Sequence, residues 1–186
     1  MNRLTITELP LSGLKRVLRQ RLGDERGFLA RLFCADELAA AGWRQPVAQI
    51  NHSRTARAGT LRGLHFQQAP HAEMKLVSCI RGRVFDVAVD LRRGSPTFAR
   101  WHGEILAADD GAAMLLPEGC AHGFQALSHD VELVYCHSRA YASVAEGGFN
   151  ALDERLAIAW PAAITEMSER DRNLPRMASD FTGLSA

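Results

Sequence analysis

The chain has 186 residues, of which 47% are hydrophobic and 23% are charged, and its formal net charge is +1. This composition is typical of a globular protein that can bury a core, and the length predicts one domain over residues 1–186. Basic and acidic residues are interspersed, and the sequence has no basic stripe of the kind that would indicate a nucleic-acid partner. No apolar run reaches the roughly 18 residues of a membrane span. Four separated cysteines without a CxxC pair predict buried thiols in the cytoplasm.

Short apolar or alternating runs recur between Gly- and Pro-rich turns, a pattern typical of an all-β barrel or sandwich. In chain order, the predicted strands cover residues 5–9, 14–18, 28–33, 74–80, 83–91, 99–106, 113–116 and 132–141. A short helix over 36–41, capped by Asp36 and closed at Gly42, is expected after the third strand, and a helical turn is expected within 162–171.

One predicted strand carries a carboxylate among small residues. Alternation along the strand places Val84, Asp86, Ala88 and Asp90 on the same face. Asp86 is therefore predicted to line a cavity, and a solvent-facing acidic strand surface is the alternative.

Two spacings resemble the signatures of the cupin barrel family. The pattern G-x5-P-x-G-x2-H ends at His122, and an earlier G-x5-H ends at His65. Cupin metal sites use a second histidine and an acid after the first one, but this chain has Gln67 and Lys75 at those positions. A cationic lysine would repel a divalent ion, which needs converging imidazoles or carboxylates. His65, Lys75 and His122 are therefore predicted to form an acid–base pocket without metal.

An ordered set of motifs extends this resemblance along nearly the whole chain. The motifs are DERGF at 24–28, QINHS at 49–53, LRGLHFQ at 61–67, KLV at 75–77, FDVAVDLR at 85–92, SPTF at 95–98, PEGCAHGF at 117–124, Tyr135, Tyr141, WP at 160–161 and SERD at 168–171. The set resembles the dTDP-4-dehydrorhamnose 3,5-epimerases of the cupin superfamily. The resemblance implies a cupin-type jelly-roll β-barrel with short flanking helices, a core over about 24–161, a segment 162–186 that closes the site, no cofactor and a homodimer.

The resemblance also implies roles for individual residues. In that family a histidine matching His65 removes the proton at C5, and usually also at C3, while an aspartate matching Asp171 orients it. A lysine matching Lys75 steadies the enolate, and a tyrosine matching Tyr135 returns a proton on the opposite face. The residues expected to hold the sugar and the diphosphate are Arg26, Gln49, Asn51, Arg62 and His122, together with the cavity carboxylate Asp86.

The chemistry of these residue types agrees with those roles. Inverting a carbon beside a ketone needs a base on one face and an acid on the other. Histidine suits the base because its unperturbed pKa is roughly 6.5, and an ammonium group stabilises the developing enolate charge. The predicted reaction is cofactor-independent epimerisation at C3 and C5 of a nucleotide-linked 4-keto-6-deoxyhexose.

Several alternatives stay open at this point. They are an epimerase acting at C3 or C5 only, an epimerase for another nucleotide sugar, the related ketoisomerase and a non-catalytic sugar-nucleotide-binding cupin. Binding alone needs no base–acid pair, so His65, Lys75 and Tyr135 together disfavour the last of these. Glu73 replaces the glutamine more frequent in the family, and His137 is among the histidines that stay unassigned or are expected to face solvent.

Overall fold

The computed structural model describes residues 2–185 and consists mainly of antiparallel strands. In chain order the strands are β1 (Leu4–Glu8), β2 (Lys15–Arg19), β3 (Arg21–Asp24), β4 (Gly27–Ala30), β5 (Gln49–Thr55), β6 (Leu61–Gln67), β7 (Lys75–Arg81), β8 (Arg83–Asp90), β9 (Trp101–Ala107), β10 (Ala112–Leu116), β11 (Cys120–Ala126), β12 (Val131–His137) and β13 (Glu146–Gly148). The helices are α1 (Ala35–Ala39) and α2 (Glu169–Arg172), with a 3₁₀ turn at Ser143–Ala145.

Two sheets and one hairpin hold these strands. The six-stranded sheet has the order β1-β2-β10-β7-β12-β5, and the five-stranded sheet has the order β13-β6-β11-β8-β9. β3 and β4 form a separate two-stranded hairpin. The chain moves from one sheet to the other between β5 and β6, β6 and β7, and β7 and β8, as in a jelly roll. The prediction of an all-β, cupin-type jelly roll with short helices is confirmed.

Apolar side chains from both sheets fill the space between them. Val77 and Met114 from the larger sheet pack in one buried cluster with Val84 and Phe124 from the smaller sheet. This cluster fills one part of the barrel interior. Burial of such apolar side chains is the main favourable term in folding, so the cluster holds the two sheets together. Polar side chains from β5, β6, β7, β11 and β12 line another part of the barrel interior.

Two glycines bring β6 and β11 unusually close. Gly63 has φ +114°, and a Cβ on it would lie 2.6 Å from the Cα of Gly123. Only glycine fits such an approach at positive φ. In the resulting register His65 lies opposite His122 across the two strands.

The predicted strands are present, with changes at their ends. The strand expected over 28–33 ends at Ala30, and the one expected over 132–141 ends at His137. The alternation of apolar residues does not reveal β5 and β6, because polar residues facing a cavity interrupt it.

The predicted cap of the first helix is wrong. α1 begins at Ala35 and its N-cap is Cys34, which makes no side-chain capping bond, so Asp36 lies inside the first turn. In the first turn, the charge of Asp36 interacts favourably with the positive end of the helix dipole, but Asp36 does not cap the helix. The helix ends at Ala39, three residues before Gly42, which has φ +100°.

The expected helical turn near the end of the chain is α2. Its N-cap is Ser168, whose side chain accepts a hydrogen bond from the backbone N–H of Asp171. Among residues 2–185, no helix is long and apolar enough to cross a membrane.

Candidate active site

A cavity of about 580 Å³ opens at the polar part of the barrel. Side chains from β5, β6, β7, β11, β12 and α2 line it, and they include all four predicted catalytic residues, His65, Lys75, Tyr135 and Asp171. A larger cavity of about 780 Å³ shares Arg170 with it but contains none of the predicted site residues. The smaller cavity is therefore the candidate active site.

His65 and Asp171 form a hydrogen-bonded pair in the cavity wall. His65 Nε2 lies 2.9 Å from Asp171 Oδ1, and the backbone N–H of Gly63 donates to Oδ2 at 3.2 Å. Burial favours the neutral acid, but the bonds from His65, Gly63 and Ser168 outweigh it and hold the pKa of Asp171 below its ordinary value. An ionised Asp171 accepts the proton on Nε2, so Nδ1 of His65 keeps its lone pair and can act as a base.

Tyr135 lies on β12, and its hydroxyl is 3.3 Å from Ser53 Oγ. Burial raises the pKa of Tyr135 above its usual range, the hydrogen bond with Ser53 opposes this, and the charge of Asp86 adds to it. The phenol is therefore protonated at neutral pH. It can donate a proton to a strongly basic carbon.

Lys75 begins β7 and is 8% exposed. Its Nζ lies 3.1 Å from Glu73 Oε1, and His137 Nδ1 lies 3.1 Å from Glu73 Oε2. Burial would raise the pKa of Glu73, but His137 and Lys75 together hold it below its ordinary value. The cavity thus contains an ammonium group fixed by an ionised carboxylate.

The expectation that His137 faces solvent is wrong. It is 8% exposed and lines the cavity. The signal was present in the sequence, because His137 follows Tyr135 by two positions and therefore shares its strand face.

Asp86 also departs from its predicted position. It is fully buried and does not line the cavity, and its Oδ1 lies 2.7 Å from Nε2 of His122. It shares the inner strand face with Val84 and Ala88, as predicted, but His122 stands at the cavity wall instead. Asp86 is thus a buried support for His122 and neither a cavity-lining nor a solvent-facing carboxylate.

The remaining predicted binding residues divide into three groups. Asn51, Arg62 and His122 line the cavity. Gln49 supports Asn51, since its Nε2 donates to Asn51 Oδ1 at 2.9 Å. Arg26 lies on the β3–β4 hairpin with its side chain 90% exposed, so the prediction that it lines the site fails within a single chain.

The sequence assigned no role to several other residues of the cavity wall, and three of these lie beside Tyr135 or Asp171. They are Ser53, which contacts the Tyr135 hydroxyl, Ser168, which caps α2, and Arg170, which precedes Asp171. Serine and arginine are ordinary surface residues, so only the three-dimensional arrangement identifies them.

Comparisons with known proteins agree with this geometry. The family model described as dTDP-4-dehydrorhamnose 3,5-epimerase matches residues 8–179. The Shigella flexneri dTDP-4-dehydrorhamnose 3,5-epimerase is 43% identical over 152 residues, which cover 81% of this chain and 83% of that one.

Two solved structures extend the comparison. The Legionella pneumophila dTDP-6-deoxy-D-glucose-3,5-epimerase in complex with dTDP-4-keto-L-rhamnose aligns with a TM-score of 0.86 and 36% identity, over 95% of this chain and 100% of that one. A 3′-monoepimerase from Streptomyces bikiniensis in complex with dTDP-quinovose aligns with a TM-score of 0.84 and 37% identity, over 90% and 85% of the two chains. The chain therefore belongs to the dTDP-4-dehydrorhamnose 3,5-epimerase family, whose members are isomerases.

Proposed function

We propose that the chain inverts C3 and C5 of dTDP-4-dehydro-6-deoxyglucose and so forms dTDP-4-dehydro-L-rhamnose, without a cofactor. One observation carries the proposal: the His65–Asp171 pair faces a cavity that Tyr135 and Lys75 also line. The Legionella pneumophila relative was solved with the sugar nucleotide that this reaction would produce.

The proposed chemistry uses these four side chains in turn. Nδ1 of His65 removes the proton from a carbon beside the C4 ketone, and the electron pair moves to the carbonyl oxygen to form an enolate. The Lys75 ammonium stabilises that oxygen, because it meets more negative charge in the transition state than in the substrate. Tyr135 then donates its proton to the opposite face of the carbon. Exchange with water returns a proton to Tyr135 and removes one from His65.

The same cavity offers groups for the rest of the substrate. Arg62 has a forked guanidinium suited to phosphate oxygens, and its Nε donates to Thr55 Oγ1 at 3.0 Å, which fixes its direction. Asn51 and His122 offer hydrogen-bonding groups for sugar hydroxyls. We also propose that the segment 162–186 closes the site of this single domain, because its described part, residues 162–185, supplies Ser168, Arg170 and Asp171 to the cavity wall.

We further propose a homodimer in which the β3–β4 hairpin of one chain reaches the site of the other. Phe28 and Leu29 on the hairpin are 61% and 73% exposed, an apolar surface that a second copy would cover. Arg26 lies on the same hairpin outside its own cavity. If Arg26 binds the substrate, as the resemblance implies, it therefore does so in the partner's site.

The proposed location is the cytoplasm. All four cysteines are free thiols, and three of them are buried, which suits a reducing compartment.

Deuterium uptake from heavy water tests the proposed reaction. dTDP-4-dehydro-6-deoxyglucose is incubated with the protein and followed by NMR, and exchange is expected at both C3 and C5. Exchange at one carbon would indicate a mono-epimerase, the activity named for the Streptomyces bikiniensis relative. Binding without exchange would favour a sugar-nucleotide-binding module, and neither binding nor exchange would indicate a different nucleotide or sugar.

A further inference from the structure

The carboxylate of Glu73, just before β7, is the meeting point of three buried donors. Lys75 Nζ lies 3.1 Å from Oε1, while His137 Nδ1 and Gln67 Nε2 each lie 3.1 Å from Oε2. Glu73 and its three donors are all buried, each with less than a tenth of its surface exposed to solvent. The mechanism above uses Lys75 but assigns nothing to the other three.

A backbone group fixes the direction of one hydrogen-bond chain that ends at Glu73. The N–H of Tyr141 donates to Gln49 Oε1 at 3.0 Å, so Nε2 of Gln49 must donate to Asn51 Oδ1. Nδ2 of Asn51 is then the donor to His137 Nε2 at 3.3 Å. A ring nitrogen that accepts is unprotonated, so neutral His137 carries its proton on Nδ1 and donates it to Glu73.

A second chain is fixed in the same way. The N–H of Ala142 donates to Gln67 Oε1 at 2.6 Å, so Nε2 of Gln67 must be a donor to Glu73. Oε2 of Glu73 therefore accepts from His137 and Gln67, and Oε1 is left for Lys75. Only an ionised carboxylate satisfies three donors at once.

We propose that Glu73 is a positioning residue that holds the Lys75 ammonium toward the enolate, with His137 and Gln67 holding Glu73 in turn. The proposal rests on the proposed function of the site. A lysine ammonium sits on a flexible four-carbon stem, and transition-state stabilisation depends on charges that are already in place. Asn51, which is expected to bind the substrate, belongs to this network and so links the sugar site to Lys75.

Replacing Glu73 by glutamine keeps the shape of the side chain and reverses one hydrogen bond. The new amide oxygen must accept from His137 and Gln67, so its NH₂ group faces the Lys75 ammonium, donor against donor. We expect E73Q to lower kcat about tenfold and to change KM by less than about twofold, because Lys75 acts on the transition state. His65, His122 and Tyr135 face the same cavity and are unchanged in the variant.

A second His–Glu pair provides a matched control. His102 and Glu104 lie on β9, with Nε2 and Oε1 2.6 Å apart, and neither lines the cavity. E104Q removes a carboxylate of the same kind from a histidine and is expected to leave kcat unchanged.

A double variant separates positioning from general damage. In H137F an aromatic ring still stacks on Tyr135, but that ring has no N–H group that needs an acceptor. Gln67 Nε2 can donate to the carbonyls of His71 and Ala140 instead of to residue 73. The amide introduced at position 73 can then turn its oxygen toward Lys75. We therefore expect E73Q/H137F to regain about threefold or more of the kcat lost in E73Q, as coupled neighbours do in a double-mutant cycle.

An NMR titration of the Lys75 ε-carbon tests the proposal without any substrate. The signal is assigned from its loss in Lys75→Arg. Removing an opposite charge from a buried ammonium lowers its titration midpoint, and we expect a fall of about 1 to 3 pH units in E73Q and none in E104Q. An unchanged midpoint in E73Q would overturn the proposal, whether or not the wild-type protein turns over the sugar.

Turnover provides the second criterion. If the wild-type protein epimerises the sugar but E73Q has the same kcat, the positioning role is wrong. If the wild-type protein shows no turnover at all, the proposed function fails, and the NMR midpoint still decides whether Glu73 holds the ammonium.

Discussion

At the scale of single residues, Asp171 determines which nitrogen of His65 can act as a base. Its Oδ1 lies 2.9 Å from Nε2 of His65, and only 4% of Asp171 is exposed. Burial would raise its pKa, but the hydrogen bond and charge of His65 and the bond from the Gly63 N–H hold that pKa below its ordinary value. Asp171→Asn keeps the volume but removes the charge, so the preferred tautomer and the stabilisation of the imidazolium are lost. We expect kcat to fall about 100-fold or more in a steady-state assay.

Glu169 provides the control for that substitution. It is an exposed acid in the same helical turn, so Glu169→Gln should keep wild-type activity. Equal kcat values for the Asp171→Asn variant and the wild-type protein would show that His65 does not depend on this carboxylate.

The family resemblance pointed to His65, Lys75, Tyr135 and Asp171, and the structure places all four at one cavity. Burial was not predictable for Asp86, because alternation gives the face of a strand and not which neighbour covers that face. The burial of His137 against Glu73 was not predictable either, because Glu73 lies in the segment before β7, the strand adjacent to the one that carries His137. Such cross-strand pairs depend on register, which a single sequence does not specify.

At the scale of elements, the end of β8 is tied to the following turn by one buried carboxylate. Asp90 is fully buried and accepts from Arg92, Ser95 and Thr97. Burial opposes ionisation, but these bonds outweigh it and lower the pKa of Asp90 to about 2. The turn that follows β8 is thus held by a single ionised side chain.

This arrangement predicts a pH-dependent contribution to stability. The folded-state pKa of Asp90 lies below the unfolded value of about 3.9, so its contribution is complete above about pH 4 and is lost as the pH falls through about 2. Asp90→Asn should lower the free energy of unfolding by about 2 kcal/mol at pH 7 and by much less near pH 2. Urea unfolding of both proteins across this range measures the difference. A gap that stays constant between pH 7 and pH 2 would contradict the assignment.

Elements with an apolar alternation were predictable from the sequence, and those that form the site were less so. The predicted strands 74–80 and 83–91 match β7 and β8 within a residue or two. β5 and β6 carry polar cavity residues, so the period-2 pattern is broken where the function lies.

At the scale of the whole molecule, the exposed β3–β4 hairpin predicts that activity requires two chains. If Arg26 serves the partner's cavity, an Arg26→Ala chain and a His65→Ala chain complement each other, because the hybrid contains one site with both residues intact. An equal mixture forms hybrids in about half of its dimers, each with one complete site, so it should recover about a quarter of the wild-type kcat/KM. Activity no higher than the mean of the two separate variants would place Arg26 outside the partner's site.

The division of labour between His65 and Tyr135 is the central claim, and deuterium exchange in heavy water tests it most directly. His65→Ala should abolish exchange at both C3 and C5, because no base remains to remove either proton. Tyr135→Phe should still exchange, since His65 can return a deuteron to the face from which it took the proton, but inversion should be lost. Exchange that persists in the His65→Ala variant, or inversion that persists in the Tyr135→Phe variant, would contradict the account.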